Sequence, residues 1–98
     1  MADKRVRKPV DPAVATARRE AFYNATIRGH LDVGQAVAAM RKISRLTQAE
    51  FAAHRGISVQ ALRQIESGKG NPTVETLDKI ASVFGLQVGF VPRQRPSE

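Results

Sequence analysis

The side chains best placed to do chemistry in this sequence are its 16 Lys and Arg, set against nine Asp and Glu. The resulting charge of +7, with a pI near 10.9, suits ion pairing with a polyanion, either nucleic acid or an acidic membrane surface. Other reactive groups are sparse. There is no cysteine, which removes disulfides, thiolate metal sites and a cysteine nucleophile, and two isolated histidines, His30 and His54, build no zinc site unaided. Ser44, Ser58 and Ser67 cap or end helices, and no Ser, His and carboxylate grouping suggests a triad. The expectation is a non-enzymatic chain with no catalytic residue, no metal and no cofactor.

Those charges need a scaffold. Ninety-eight residues support one small domain. A hydrophobic content of 42% with 5% aromatics, no Trp and one Tyr fits an all-helical core of Leu, Ile, Val and Ala. No apolar run approaches the roughly 18 residues of a membrane span, and the basic N-terminus lacks the apolar core of a signal peptide. A soluble, intracellular protein with no membrane partner is expected.

Residues 1–10 carry Lys4, Arg5, Arg7 and Lys8 against Asp3 and read as a flexible basic arm, either simply solvated or following a nucleic-acid groove. Asp11 and Pro12 start a helix that should run to about Arg28 within 11–29, burying Val14, Ala17, Ala21, Phe22 and Ala25. A domain over 32–85 follows. Asp32 with Gln35, and Thr47 with Glu50, have capping-box spacing. The first pair opens a helix to about Ser44 that buries Val33, Ala36, Val37 and Met40, and the second opens a short one to about His54. Ser58 caps a helix with Ala61, Leu62 and Ile65 inward, broken by Gly68, Gly70, Asn71 and Pro72. Thr73 opens the last helix, with Val74, Leu77, Ile80, Ala81 and Phe84 inward and Gly85 as its stop.

The period then changes. Leu86, Val88 and Phe90 alternate with Gln87 and Gly89, which predicts a strand over 86–91 before a tail, 92–98. No second strand candidate exists to pair with it. Pairing with the same segment of a second copy would complete a two-stranded antiparallel sheet and make a homodimer; the alternative is a tail folded over its own core.

Two short helices meeting at a turn with Gly56, and sharing the inward positions Phe51, Ala52, Ile57, Leu62 and Ile65, make a helix-turn-helix. Ala52 permits a close crossing, and Gly56 suits a positive φ. Arg41, Thr47-Gln48-Ala49-Glu50-Phe51-Ala52, Gly56-Ile57-Ser58 and Ile65-Glu66-Ser67-Gly68-Lys69 together resemble the Cro and repressor family, also called XRE, over about Val33 to Leu86.

The resemblance implies an all-α, lambda-repressor-like helix-turn-helix domain, to which this sequence adds an N-terminal helix and a C-terminal strand. It implies a partner, double-stranded DNA with a palindromic operator, read by the helix after Ser58. Val59, Gln60, Arg63 and Gln64 are then the candidate base readers: glutamine suits adenine, arginine guanine and valine a thymine methyl. Gln48, Ser58 and Lys69 are the candidate phosphate contacts, and Arg41 with Glu66 the structural ion pair. The strand in place of a fifth family helix resembles antitoxins of HipB type. That likeness implies an autoregulating repressor that also holds a protein toxin; the helix Pro12 to Arg28, which the core motif does not require, is the candidate toxin-facing or dimer-supporting element. The alternative is a stand-alone or phage-type regulator. Either would act in the cytoplasm of a bacterium, at the nucleoid.

Overall fold

The computed structural model describes residues 10–93; the basic run 1–9 and residues 94–98 lie outside the described residues. Five α-helices follow one another: α1 (Pro12–Ile27), α2 (Val33–Ser44), α3 (Gln48–Arg55), α4 (Val59–Ser67) and α5 (Val74–Ala81), the last continued by a 3-10 turn, Ser82–Phe84.

Each α-helix starts where a short polar side chain can accept a free backbone N–H. Asp11 accepts from Ala13, Asp32 from Gln35, Thr47 from Glu50, Ser58 from Ala61 and Thr73 from Thr76. At Asp32 and Thr47 the box is reciprocal, because the Gln35 and Glu50 side chains bond back to the cap N–H. The ends are less uniform. α3 stops at Gly56 in the left-handed region (φ 70°), as its type allows, but α2 stops at Arg45 with φ 59°, a conformation unfavourable for a side chain with a Cβ.

The core gathers Phe22, Val37, Met40, Phe51, Ala52, Leu62, Ile65, Ile80 and Ala81, with Phe51, Leu62 and Ile80 fully enclosed. Truncating a buried Phe or Leu of this kind costs about 2 to 5 kcal/mol. α2 and α4 approach closely because Gly34 carries no side chain. A Cβ there would lie 2.8 Å from the carbonyl oxygen of Ile65 and 2.9 Å from that of Glu66.

Three expectations need correction. The N-terminal helix buries only Phe22 of its predicted stripe. Val14, Ala17 and Ala21 are exposed and Ala25 is half-buried, because short alanines and a valine on that helix do not reach the core while an aromatic ring does. Phe22 instead meets Tyr23 and Phe84 edge-on, at centroid distances of 5.2 and 6.1 Å, and the Tyr23 hydroxyl donates to the Phe84 carbonyl oxygen at 2.9 Å. Val33 and Val74, placed inward by periodicity, are exposed since each opens its helix at the rim of the core. No strand forms among the described residues: Leu86 packs against the core, while Val88, Phe90 and Val91 are exposed. Among the described residues no other segment offers a ladder edge, and the Val88 N–H is taken by Asp78 Oδ1 at 3.1 Å.

Candidate nucleic-acid interface

The local sequence of α3, the turn and α4 sets a rigid corner. The Gly56 and Ile57 amides close the end of α3 on Ala53 and Ala52, and Ser58 then caps α4 two residues later. Phe51 and Ala52 on one helix, and Leu62 and Ile65 on the other, bury the inside of the corner. The outside of α4 is left to polar groups. Gln60, Arg63 and Gln64 are exposed, whereas Val59 is half-buried against the core.

Behind this surface lies an ion pair. Arg41 Nε and Nη2 donate to Glu66 Oε2 and Oε1 at 2.7 and 3.0 Å, and Arg41 Nη1 donates to the Leu46 carbonyl oxygen at 3.2 Å. The two side chains are only 18% and 9% exposed, so the fork-shaped contact ties α2 to the end of α4 with little solvent screening. Burial pushes the Glu66 carboxyl up, but hydrogen bonds from Arg41 and Gln48 and the charges of Arg41 and Lys42 outweigh it and hold the group below its ordinary value. The Arg41 guanidinium is correspondingly raised by its bond to Glu66.

From Glu66 the bonding continues outward. Gln48 Nε2 donates to Glu66 Oε1 at 3.2 Å, and Arg63 Nε donates to Gln48 Oε1 at 3.3 Å. Gln48, at the first position of α3, is therefore half-buried and faces protein at both ends of its amide. Ser58 is likewise engaged, its hydroxyl oxygen capping Ala61, while Lys69 lies exposed just beyond α4. No local signal announced the Arg63 to Gln48 bond, which spans 15 residues.

Arg55, at the end of α3, also escaped notice. Its guanidinium lies 4.2 Å over the Phe51 ring and 6.0 Å from that of Phe84, and burial lowers its pKa. A basic residue in the last turn of a helix was the available hint, but it says nothing about a ring beneath.

A helix-turn-helix family model matches residues 37–91, more than half of the chain, and the chain belongs to this XRE-type helix-turn-helix family. It is 36% identical over 61 residues to an immunity repressor protein of Bacillus phage phi105, covering 62% of this chain and 42% of that protein. It is 43% identical over 54 residues to an uncharacterized HTH-type transcriptional regulator of Sinorhizobium fredii, covering 55% and 70%. A cryptic phage CTXphi transcriptional repressor, RstR, of Vibrio cholerae is 36% identical over 58 residues, covering 59% and 52%. The chain thus spans about half the length of the two phage repressors. No solved structure matches it. Among the described residues no helix is long and apolar enough to cross a membrane.

Proposed function

We propose that this chain is a sequence-specific, double-stranded DNA-binding transcriptional repressor that acts as a homodimer on a palindromic operator. The observation that carries the reading is the exposure of Gln60, Arg63 and Gln64 together on the first two turns of α4, a helix whose opposite side is locked into the core by Leu62 and Ile65. A helix enters the major groove by such an N-terminal face, and amide and guanidinium groups match the donors and acceptors of base edges there. Val59, half-buried, has only its outer edge to offer a thymine methyl. Lys69, exposed just beyond α4, is the first candidate contact for a backbone phosphate, with Gln48 and Ser58 at the starts of α3 and α4 as the other two. The net charge of +7 supports sequence-independent attraction as well.

Two copies reading one operator would place their α4 helices about 34 Å apart, in successive major grooves. The exposed apolar segment Val88 to Val91 supports pairing between copies. Relatives named as phage repressors favour the stand-alone regulator over the toxin-holding reading, for which no feature of the described residues singles out a partner surface.

The test is a binding titration with a fluorescent duplex from the promoter of the chain's own gene, against a scrambled duplex of equal length. Binding at least about 1,000-fold tighter to the promoter duplex is expected. The double substitution of Gln60 and Gln64 by alanine should remove most of that ratio. Equal affinity of the unsubstituted chain for both duplexes would overturn the reading.

A further inference from the structure

The bonds that run inward from Arg63 constrain how it presents itself. Of the five N–H donors on its guanidinium, the Nε–H is held by Gln48 Oε1 at 3.3 Å. Gln48 cannot turn freely, because its Nε2 donates to Glu66 Oε1 at 3.2 Å. Glu66, 9% exposed, is in turn fixed by two bonds from Arg41, and Arg41 is fixed by the Leu46 carbonyl. The chain of bonds starts in a nearly buried ion pair and ends on an exposed residue of α4.

We infer that Gln48 is a positioning residue for base recognition, and that through it Arg63 presents its two terminal nitrogens, Nη1 and Nη2, end-on to a guanine in the major groove. The inference rests on the DNA-reading proposal above and deepens it. With Nε committed, a side-on approach that uses Nε and one terminal nitrogen is closed. The end-on fork remains, and its two parallel donors match the adjacent N7 and O6 acceptors that guanine alone presents. Holding the fork before DNA arrives also removes part of the rotamer entropy that a free arginine loses on binding. The alternative role for Gln48, a direct phosphate contact, uses an amide whose oxygen and nitrogen are both already engaged with protein.

The experiment is selection from a randomised duplex library, followed by affinity measurements on the selected site and its single-base variants. The unsubstituted chain, Arg63→Ala, Gln48→Ala, Gln48→Glu and the Arg63→Ala, Gln48→Ala pair are compared, with thermal unfolding of each variant measured alongside. Arg63→Ala should abolish preference for one guanine pair per half-site. Gln48→Ala should lower that same preference about 10-fold and leave the other positions unchanged, and the double variant should discriminate no worse than Arg63→Ala alone. Gln48→Glu keeps an acceptor for Arg63 Nε but replaces the bond to Glu66 with a repulsion between two carboxylates, so it should lower the guanine preference as Gln48→Ala does. An even loss of affinity across all duplexes in both Gln48 variants, with the guanine preference intact, would overturn the positioning role in favour of a phosphate contact. Failure of the unsubstituted chain to enrich any sequence would overturn the DNA-reading proposal itself, and the inference with it.

Discussion

Gly34 of α2 lies so close to the backbone of α4 that a Cβ would sit 2.8 Å from the Ile65 carbonyl oxygen. Replacing a helical glycine by alanine gains up to about 1 kcal/mol in propensity, and less in the first turn, where Gly34 stands. Here the neighbours are backbone atoms that move only with the whole of α4, and overpacking of this kind costs about 1 to 3 kcal/mol. Gly34→Ala is therefore expected to lower stability by about 1 kcal/mol in urea unfolding. A rise in stability would show that α2 and α4 can separate without cost.

The Arg41 and Glu66 pair makes stability depend on pH. Because the Glu66 carboxyl is held below its unfolded value of about 4.5, its contribution is present above that pH and is lost as pH falls through the lower, folded value. Glu66→Ala should cost about 3 kcal/mol at neutral pH by stranding Arg41. The gap between the unsubstituted chain and the variant should close progressively below about pH 4.5. A gap that stays constant from neutral to acid pH would contradict this account. Arg41→Lys should recover only part of the stability, since one ammonium cannot reproduce the fork to Glu66 together with the bond to Leu46.

Docking of α1 rests on two neighbouring aromatics. Phe22→Ala should lose about 3 kcal/mol and expose α1 to proteolysis. Tyr23→Phe removes only the bond to the Phe84 carbonyl and should cost about 1 kcal/mol in thermal unfolding. Equal effects of the two would mean that the ring of Phe22 does not anchor the helix.

Phe90 is fully exposed in the single chain, beside exposed Val88 and Val91. If these residues form the proposed contact between copies, sedimentation should find a dimer for the unsubstituted chain and a monomer for Phe90→Asp. A dimer that survives the substitution would move the contact elsewhere.

What could be read from sequence divides by range. Helix starts were legible because a cap and its partner lie within three residues, as at Thr47 and Glu50 or Asp32 and Gln35. The all-helical class followed from those signals and from the period of the apolar residues. The end of α2 at Arg45 was not legible as a left-handed turn, since the type that usually marks one is glycine or asparagine. The extent of burial along α1 failed for a different reason. Periodicity shows which residues share a face, but not whether alanines on that face reach a neighbour. The break of the last helix into a 3-10 turn at Ser82 likewise has no local signature. At the candidate site, Arg41 and Glu66 are 25 residues apart and came into view through the family pattern alone. The Gln48 bridge to Arg63 depends on the crossing of α3 and α4, a distance that no spacing rule encodes. The alternation of Leu86, Val88 and Phe90 was plain, yet a strand needs a ladder partner, and the described residues hold none.

The contact between Tyr23 and Phe84 has a practical consequence. The sequence contains one Tyr and no Trp, so its intrinsic fluorescence comes from a single, known ring. That phenol donates a hydrogen bond to the carbonyl of Phe84, 61 residues away at the end of the 3-10 turn, and its emission should change when the bond opens to water. The molecule thus carries its own optical probe of whether the N-terminal helix is seated, and the unfolding of the chain and its variants can be followed at that point without attaching a label.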